Sequence, residues 1–366
     1  MYFYNFFIFD FFYYNEKSKI HFYIRPLYYY TKTFAPLFLS GYIILKDSRS
    51  TFLSFEKTII NIVKASCIIA FFQLFISQIF QNLDLNEIIG LKRRYINTFD
   101  TSILSVRVQA FMTEPKDLAC FICLAAPIIL KKKKYILFIF SIITALLTQS
   151  QTFVVLFFIF TIIFILPNSI QTVRKYILTS LLIIISLFQI VSSSKAFIFE
   201  HYQDFKDNPI VELIANRAIS RYTDFYDIID QDETEFIGMP IQRDQELPII
   251  KFFKEYPFLW ITGVGPGNTM FINPSYFEGS SFFMDKVKGD VAPTITMRWF
   301  NYIVHFGSII FIYFFFSLTK LESNNSFTNK YYAFLWSCLF FAIIDIYVVI
   351  FYCLLIKEKN ETKYYL

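Results

Sequence analysis

The residues predict an all-α, polytopic membrane protein of about eight to ten spans with one long water-exposed loop. Three observations carry that expectation. Apolar runs recur down a chain of 366 residues that is 55% hydrophobic, with mean hydropathy +0.47. A soluble protein would interrupt such runs with charge, and the bilayer is their natural solvent. Basic residues gather in the short connections between those runs. A single long segment, 194–298, breaks the pattern. The expected organisation is therefore N-terminal helices over 1–193, the loop over 194–298 and C-terminal helices over 299–366.

Residues 1–14 are apolar and aromatic but lack both a basic start and a small-residue cleavage site, so they read as a short helix, not a cleavable signal. A span needs ~20 mainly apolar residues. The stretches that approach this are 27–45, 58–80, 116–130, 135–149, 152–167, 176–193, 300–318 and 331–356. The last holds Asp345 at its middle and reads either as one tilted span or as a broken helix. All five cysteines fall inside apolar runs, including Cys120 and Cys123 of a C-x-x-C, where packing sulfur is expected over redox or metal chemistry. No zinc pattern, phosphate-binding loop or dinucleotide fingerprint is present, so no metal, no cofactor and no nucleic acid is expected.

Orientation follows from the basic residues. Lys131 to Lys134 run unbroken between two spans, Arg174 and Lys175 lie between two more, and Lys320 follows another. Placing all three on the cytoplasmic side puts 194–298 outside. That segment holds ten basic and sixteen acidic residues, a net charge of −6, against 24 and 13, or +11, elsewhere. One conflict remains: 81–115 should also be outside, yet contains Lys92, Arg93 and Arg94.

Within the loop, Asn208-Pro209 opens an expected helix whose apolar stripe runs from Val211 to Ile229, with Arg217 and Arg221 flanking it four residues apart. Such a helix is either an ordinary surface helix or one lying on the bilayer, with two guanidiniums at headgroup depth. Farther on, Gly263, Gly265 and Gly267 alternate and Asn268 follows; the glycines demand positive φ or close backbone approach. Arg298, Asn301, Tyr302 and His305 share a face of the next span, where ionisable groups are functional candidates. Upstream, Arg107 and the T-E-P-K at 113–116 open another span, with Glu114 favoured by the helix dipole.

This order of features resembles the bacterial O-antigen polymerase and O-antigen ligase superfamily. The residues that carry the likeness are E-P-K at 114–116, L-L-T-Q-S-Q-T at 146–152, the arginine-bearing loop, G-V-G-P-G-N at 263–268 and N-Y-I-V-H-F-G at 301–307. It covers roughly residues 55–320. The chain departs from the family in having fewer N-terminal spans, in reading E-P-K where E-P-S is commoner, and in carrying His305 inside a span where the ligases carry a loop histidine. The resemblance implies a multi-pass protein of the bacterial inner membrane that is an inverting, metal-independent glycosyltransferase. Its donor would be an oligosaccharide on undecaprenyl pyrophosphate, and its acceptor another lipid-linked repeat unit (polymerase) or lipid A core (ligase). A chain-length regulator and a flippase are the implied partners. Arg217, Arg221, His305 and Glu114 are the expected catalytic residues; Arg243, Arg298, Arg107, Gly263, Gly265, Gly267 and Asn268 are expected to bind substrate. A lipid-linked oligosaccharide flippase is the rival reading.

Overall fold

The computed structural model describes residues 24–28, 31–32, 35–46, 52–79, 107–112, 114–169, 172–193, 235–236, 239–240, 245–280, 282–288, 291–293, 295, 298–341 and 345–364. The expectations for residues 1–14, for Lys92 to Arg94 and for the 208–229 helix lie outside them. Among the described residues the chain is helical, apart from one antiparallel two-residue pair, β1 (Glu235–Phe236) with β2 (Met239–Pro240). Among the described residues, two helices are long and apolar enough to cross a membrane, over Leu53–Ile76 and Arg298–Leu318. The chain divides into two compact units, one of 36–180 with 319–366, the other of 1–35 with 181–318.

The first unit is a bundle of α1 (Ala35–Lys46), α2 (Phe52–Ile79), α3 (Pro115–Lys131), α4 (Tyr135–Leu147), α5 (Gln151–Ile165), the start of α6 (Val173–Ser193), α11 (Ser326–Phe341) and α12 (Asp345–Tyr364). α3 starts with Pro115, whose missing N–H costs nothing at a helix N-terminus. It is the centre of the bundle, buried from Leu118 to Ile129 and packed by α2, α4, α5 and α12. Cys120 and Cys123 are buried there, as packing sulfur. Pro127 removes one intrahelical bond from α3, and a turn away Tyr331 Oη of α11 donates to the Leu124 carbonyl.

Helix α4 is built inside out. On α4 the fully buried residues are Ser141, Thr144 and Ala145, while Ile136 is 75% exposed and Ile139, Ile143 and Leu146 are also exposed. Water would select the opposite pattern; small residues facing neighbours and bulky apolar ones facing out suit packing in lipid. α5 shows the same outward face at Val154, Val155 and Phe158.

The 331–356 stretch is two helices, not one. α12 begins at Asp345 and folds back on α11, with Tyr332 stacked on Tyr352, whose hydroxyl donates to the Tyr332 carbonyl.

One end of this bundle is basic and tightly pinned. Glu56 of α2, 1% exposed, receives Lys131 at 3.3 Å and Lys132 at 2.5 Å, and Lys131 also pairs with Glu358 of α12. Lys357 Nζ donates to Ile44 O at the end of α1, and Lys330 Nζ donates to the Phe164 and Leu166 carbonyls at the end of α5. Both satisfy helix-end carbonyls that have no intrahelical donor. Tyr176 Oη meets Ser326 Oγ at 2.9 Å, so the 166–172 and 319–326 connections lie at one end. The chain leaves that end through α6 and re-enters the unit after Leu318.

The second unit contains α7 (Glu246–Glu255), α8 (Leu259–Thr262), the 3-10 turns Asn268–Phe271 and Pro274–Phe277, α9 (Phe283–Lys288) and α10 (Arg298–Leu318). Aromatic edges hold it: Phe252 on Tyr276 at 5.2 Å, Phe253 on Trp260 at 5.1 Å and Trp260 on Phe300 at 6.1 Å. Tyr276 Oη donates to the Glu255 carboxylate; burial and that bond push the phenol above its ordinary value. Lys286, 5% exposed, donates to the Thr269, Met270 and Val291 carbonyls and lies over the Phe277 ring. Its three donors are thereby satisfied, so it fixes the segment after Asn268.

Candidate functional site

α10 is apolar for most of its length and is interrupted by Gly307, at φ +77° and ψ 162°. The carbonyls just before the break are claimed by another segment: Val264 N donates to Val304 O at 2.8 Å and Gly265 N to His305 O at 3.1 Å. The two glycine-bearing stretches of the sequence are thus joined backbone to backbone. The contact is too close for any side chain. A Cβ on Gly263 would lie 2.6 Å from Gly307 N, and one on Gly307 would lie 2.1 Å from Ile261 O. Gly265 and Gly267 also have positive φ, at 90° and 78°, which L-residues resist.

His305 sits at this junction, buried, with Nδ1 3.3 Å from Gly265 O. A neutral imidazole that donates its Nδ1–H to a carbonyl carries its lone pair on Nε2, the form needed to accept a proton. Asn268 is fully buried; its Nδ2 donates to Val264 O at 3.1 Å, and its Oδ1 has no hydrogen-bond partner among the described residues. A buried acceptor of that kind is costly unless a donor reaches it. Two turns before His305, the Arg298 guanidinium lies over the Tyr302 ring at 5.0 Å. Of the expected site residues, Gly263, Gly265, Gly267, Asn268, Arg298 and His305 therefore belong to one unit, and all but Arg298 meet at the α10 break.

Arg107 and Glu114 belong to the helical bundle, at the end opposite its basic cluster. Arg107 Nε donates to Thr148 O at 3.0 Å, capping the C-terminus of α4, and Glu114 is the N-cap residue of α3, paired with Lys116 at 2.8 Å. Gln73 of α2 holds the entering strand there: Nε2 donates to Ala110 O, and Oε1 accepts from Gln109 N and Ala110 N. Arg217, Arg221 and Arg243 lie outside the described residues. Sequence reading did not single out the break at Gly307 or the role of Gln73. A glycine inside an apolar run was the available signal for the first; a lone glutamine gives none for the second.

No family model, curated protein or solved structure matches the chain.

Proposed function

We propose that the chain is a multi-pass protein of the bacterial inner membrane that polymerises surface-polysaccharide repeat units on the periplasmic face. It would transfer the glycan from undecaprenyl pyrophosphate to a second lipid-linked unit. The observation that carries the reading is the α10 break, where G-x-G-x-G-N and N-x-x-x-H-F-G, two elements that the family resemblance places far apart in sequence, are bonded together. Non-helical backbone within an apolar helix is tolerated where it lines a protein or water-filled cavity, which suits a site at the membrane surface. The inside-out pattern of α4 and the apolar outward face of α5 support the multi-pass part.

In the reaction an acceptor hydroxyl attacks the anomeric carbon, its proton passes to His305 Nε2, and the anomeric C–O bond breaks with its electron pair leaving on the pyrophosphate. Inversion follows from a single displacement. Arg298, with Arg217, Arg221 and Arg243 from the loop, would stabilise the charge developing on that leaving group. Asn268 Oδ1 would accept from a sugar hydroxyl.

The test is deletion of the gene, then complementation with variants checked for membrane abundance. Deletion should leave a single repeat unit on the acceptor. Loss of all capped acceptor with long lipid-linked polymer would mean a ligase. Repeat units retained on the cytoplasmic side would mean a flippase, a reading that the broken helix also favours because transporters bind substrate at such breaks. Arg217→Ala or Arg221→Ala should each lower polymer output about ten- to a hundredfold, the loss of a charge-assisted contact of roughly 1.5–3 kcal/mol. Lys at either position should rescue only partly, because it lacks the planar fork. Wild-type polymer from both Ala variants would remove the pair from the mechanism.

A further inference from the structure

At the basic end of the helical bundle the four consecutive lysines divide their labour. Lys131 and Lys132 turn to Glu56 and Glu358. Lys133 and Lys134 do not; they line the mouth of a groove of about 830 Å³ between α2 and α4 together with Lys64. None of these three ammonium groups has an acidic partner among the described residues. Lys133 has φ +53°, which turns the connection back so that α4 starts immediately at Tyr135.

Below the lysines the groove is apolar. Ile68 and Phe71 follow Lys64 by four and seven residues on α2, and Ile136 and Phe140 face them from α4. Phe71 and Phe140 meet edge to face at 6.0 Å and close the far end. Lys64 is the only charge between Thr58 and Ile79. An exposed ammonium on so apolar a helix requires an anion or a route to water, and its stem is long enough to snorkel toward the other two lysines. The occupant must therefore be amphiphilic, with a negative head at the three lysines and a hydrocarbon tail along the two phenylalanines.

We infer that this groove binds one anionic phospholipid of the cytoplasmic leaflet, its phosphate between Lys64, Lys133 and Lys134 and an acyl chain against Phe71 and Phe140. The site rests on the membrane reading proposed above and is independent of the glycan chemistry. Charge complementarity selects the occupant: zwitterionic lipid would fill the same apolar trough but leave three cations uncompensated.

The experiment uses the full-length protein purified in a neutral detergent, with phosphatidylglycerol and phosphatidylcholine of matched chains as probes and bound lipid read by native mass spectrometry. Wild type should retain phosphatidylglycerol preferentially. Lys64→Gln, Lys133→Gln and Lys134→Gln should each weaken that preference about fivefold, and the triple variant about a hundredfold. Lys320→Gln, at the same end but outside the groove, should leave it unchanged, and 1 M salt should reduce it in wild type. Equal retention of the two lipids by wild type, or an unchanged preference in the triple variant, overturns the site. Competition by soluble glycerophosphoglycerol as strong as by the whole lipid would make it a free-phosphate site and overturn the lipid assignment. Release of the protein from membranes by alkaline carbonate would instead refute the membrane reading, and so separates the two failures.

Discussion

Glycine is used at the α10 break for the space it leaves, and two positions separate that from conformational freedom. Gly279 and Gly307 share a left-handed φ, +81° and +77°, but a Cβ on Gly279 would meet nothing within 4 Å, whereas one on Gly307 would be driven into the Ile261 carbonyl at 2.1 Å. Gly279→Ala therefore costs only the left-handed penalty, about 1–2 kcal/mol. Gly307→Ala adds separation of the two strands and loss of the Val264–Val304 and Gly265–His305 bonds, each worth about 1 kcal/mol, for a total of about 3–4 kcal/mol. Thermal unfolding in detergent should show Gly307→Ala, and likewise Gly263→Ala, melting clearly below Gly279→Ala, with polymer synthesis lost only in the first two. Equal melting of Gly279→Ala and Gly307→Ala would contradict the close approach.

Among elements, the α2–α3–α12 contact depends on one buried carboxylate. Glu56 is shielded from water while Lys131 and Lys132 are roughly a third exposed, so the two sides of the ion pair are not equivalent. Removing the acid leaves Lys132 free to hydrate and Lys131 still paired with Glu358. Removing both lysines strands a buried anion, which costs about 3–5 kcal/mol. Lys131→Ala/Lys132→Ala should thus destabilise more than Glu56→Gln; melting curves of the two variants check this. Equal effects would mean that Glu56 keeps access to water. The same cluster marks how far the sequence could be read. The Lys131–Lys134 run announced a helix connection and its side, since charge excludes itself from an apolar span, but nothing in local pattern tied it to Glu56, 75 residues away. Likewise the helices over 116–130, 135–149, 152–167 and 300–318 were visible as apolar runs. The fold-back of α12 at Asp345 was left open, because its register is set by tertiary pairs such as Tyr332–Tyr352. Gly263 to Asn268 and His305 were legible as candidates by residue type; their junction was not, being a backbone contact between segments forty residues apart.

For the whole molecule, connectivity and charge make one joint statement about sidedness. In the bundle, the Lys131–Lys134 turn is tied to Glu358 near the end of the last helix. The 166–172 and 319–326 connections are tied together through Tyr176 and Ser326. α3, α4 and α5 are antiparallel neighbours in sequence, so the end of α3 and the end of α5 lie on the same side, opposite the α4–α5 turn at Thr148 to Ser150. Among the described residues, basic side chains gather on that side: Lys131 to Lys134, Arg174 and Lys175 at the start of α6, Lys320, and Lys357 of α12. Under the membrane reading proposed above, the basic-residue rule would put that side in the cytoplasm. The same reading would put 194–298, with its net charge of −6, on the other face. Reporter fusions after residue 133 should therefore give cytoplasmic signal, and fusions near residue 235 periplasmic signal. Replacing Lys131 to Lys134 with Gln should weaken that orientation, since the basic excess in short connections sets it while the acidic loop contributes little. Cytoplasmic signal at 235 in the unaltered chain would sink the proposed glycan chemistry outright, because Gly263 to Asn268 and the loop arginines would then never meet a periplasmic donor.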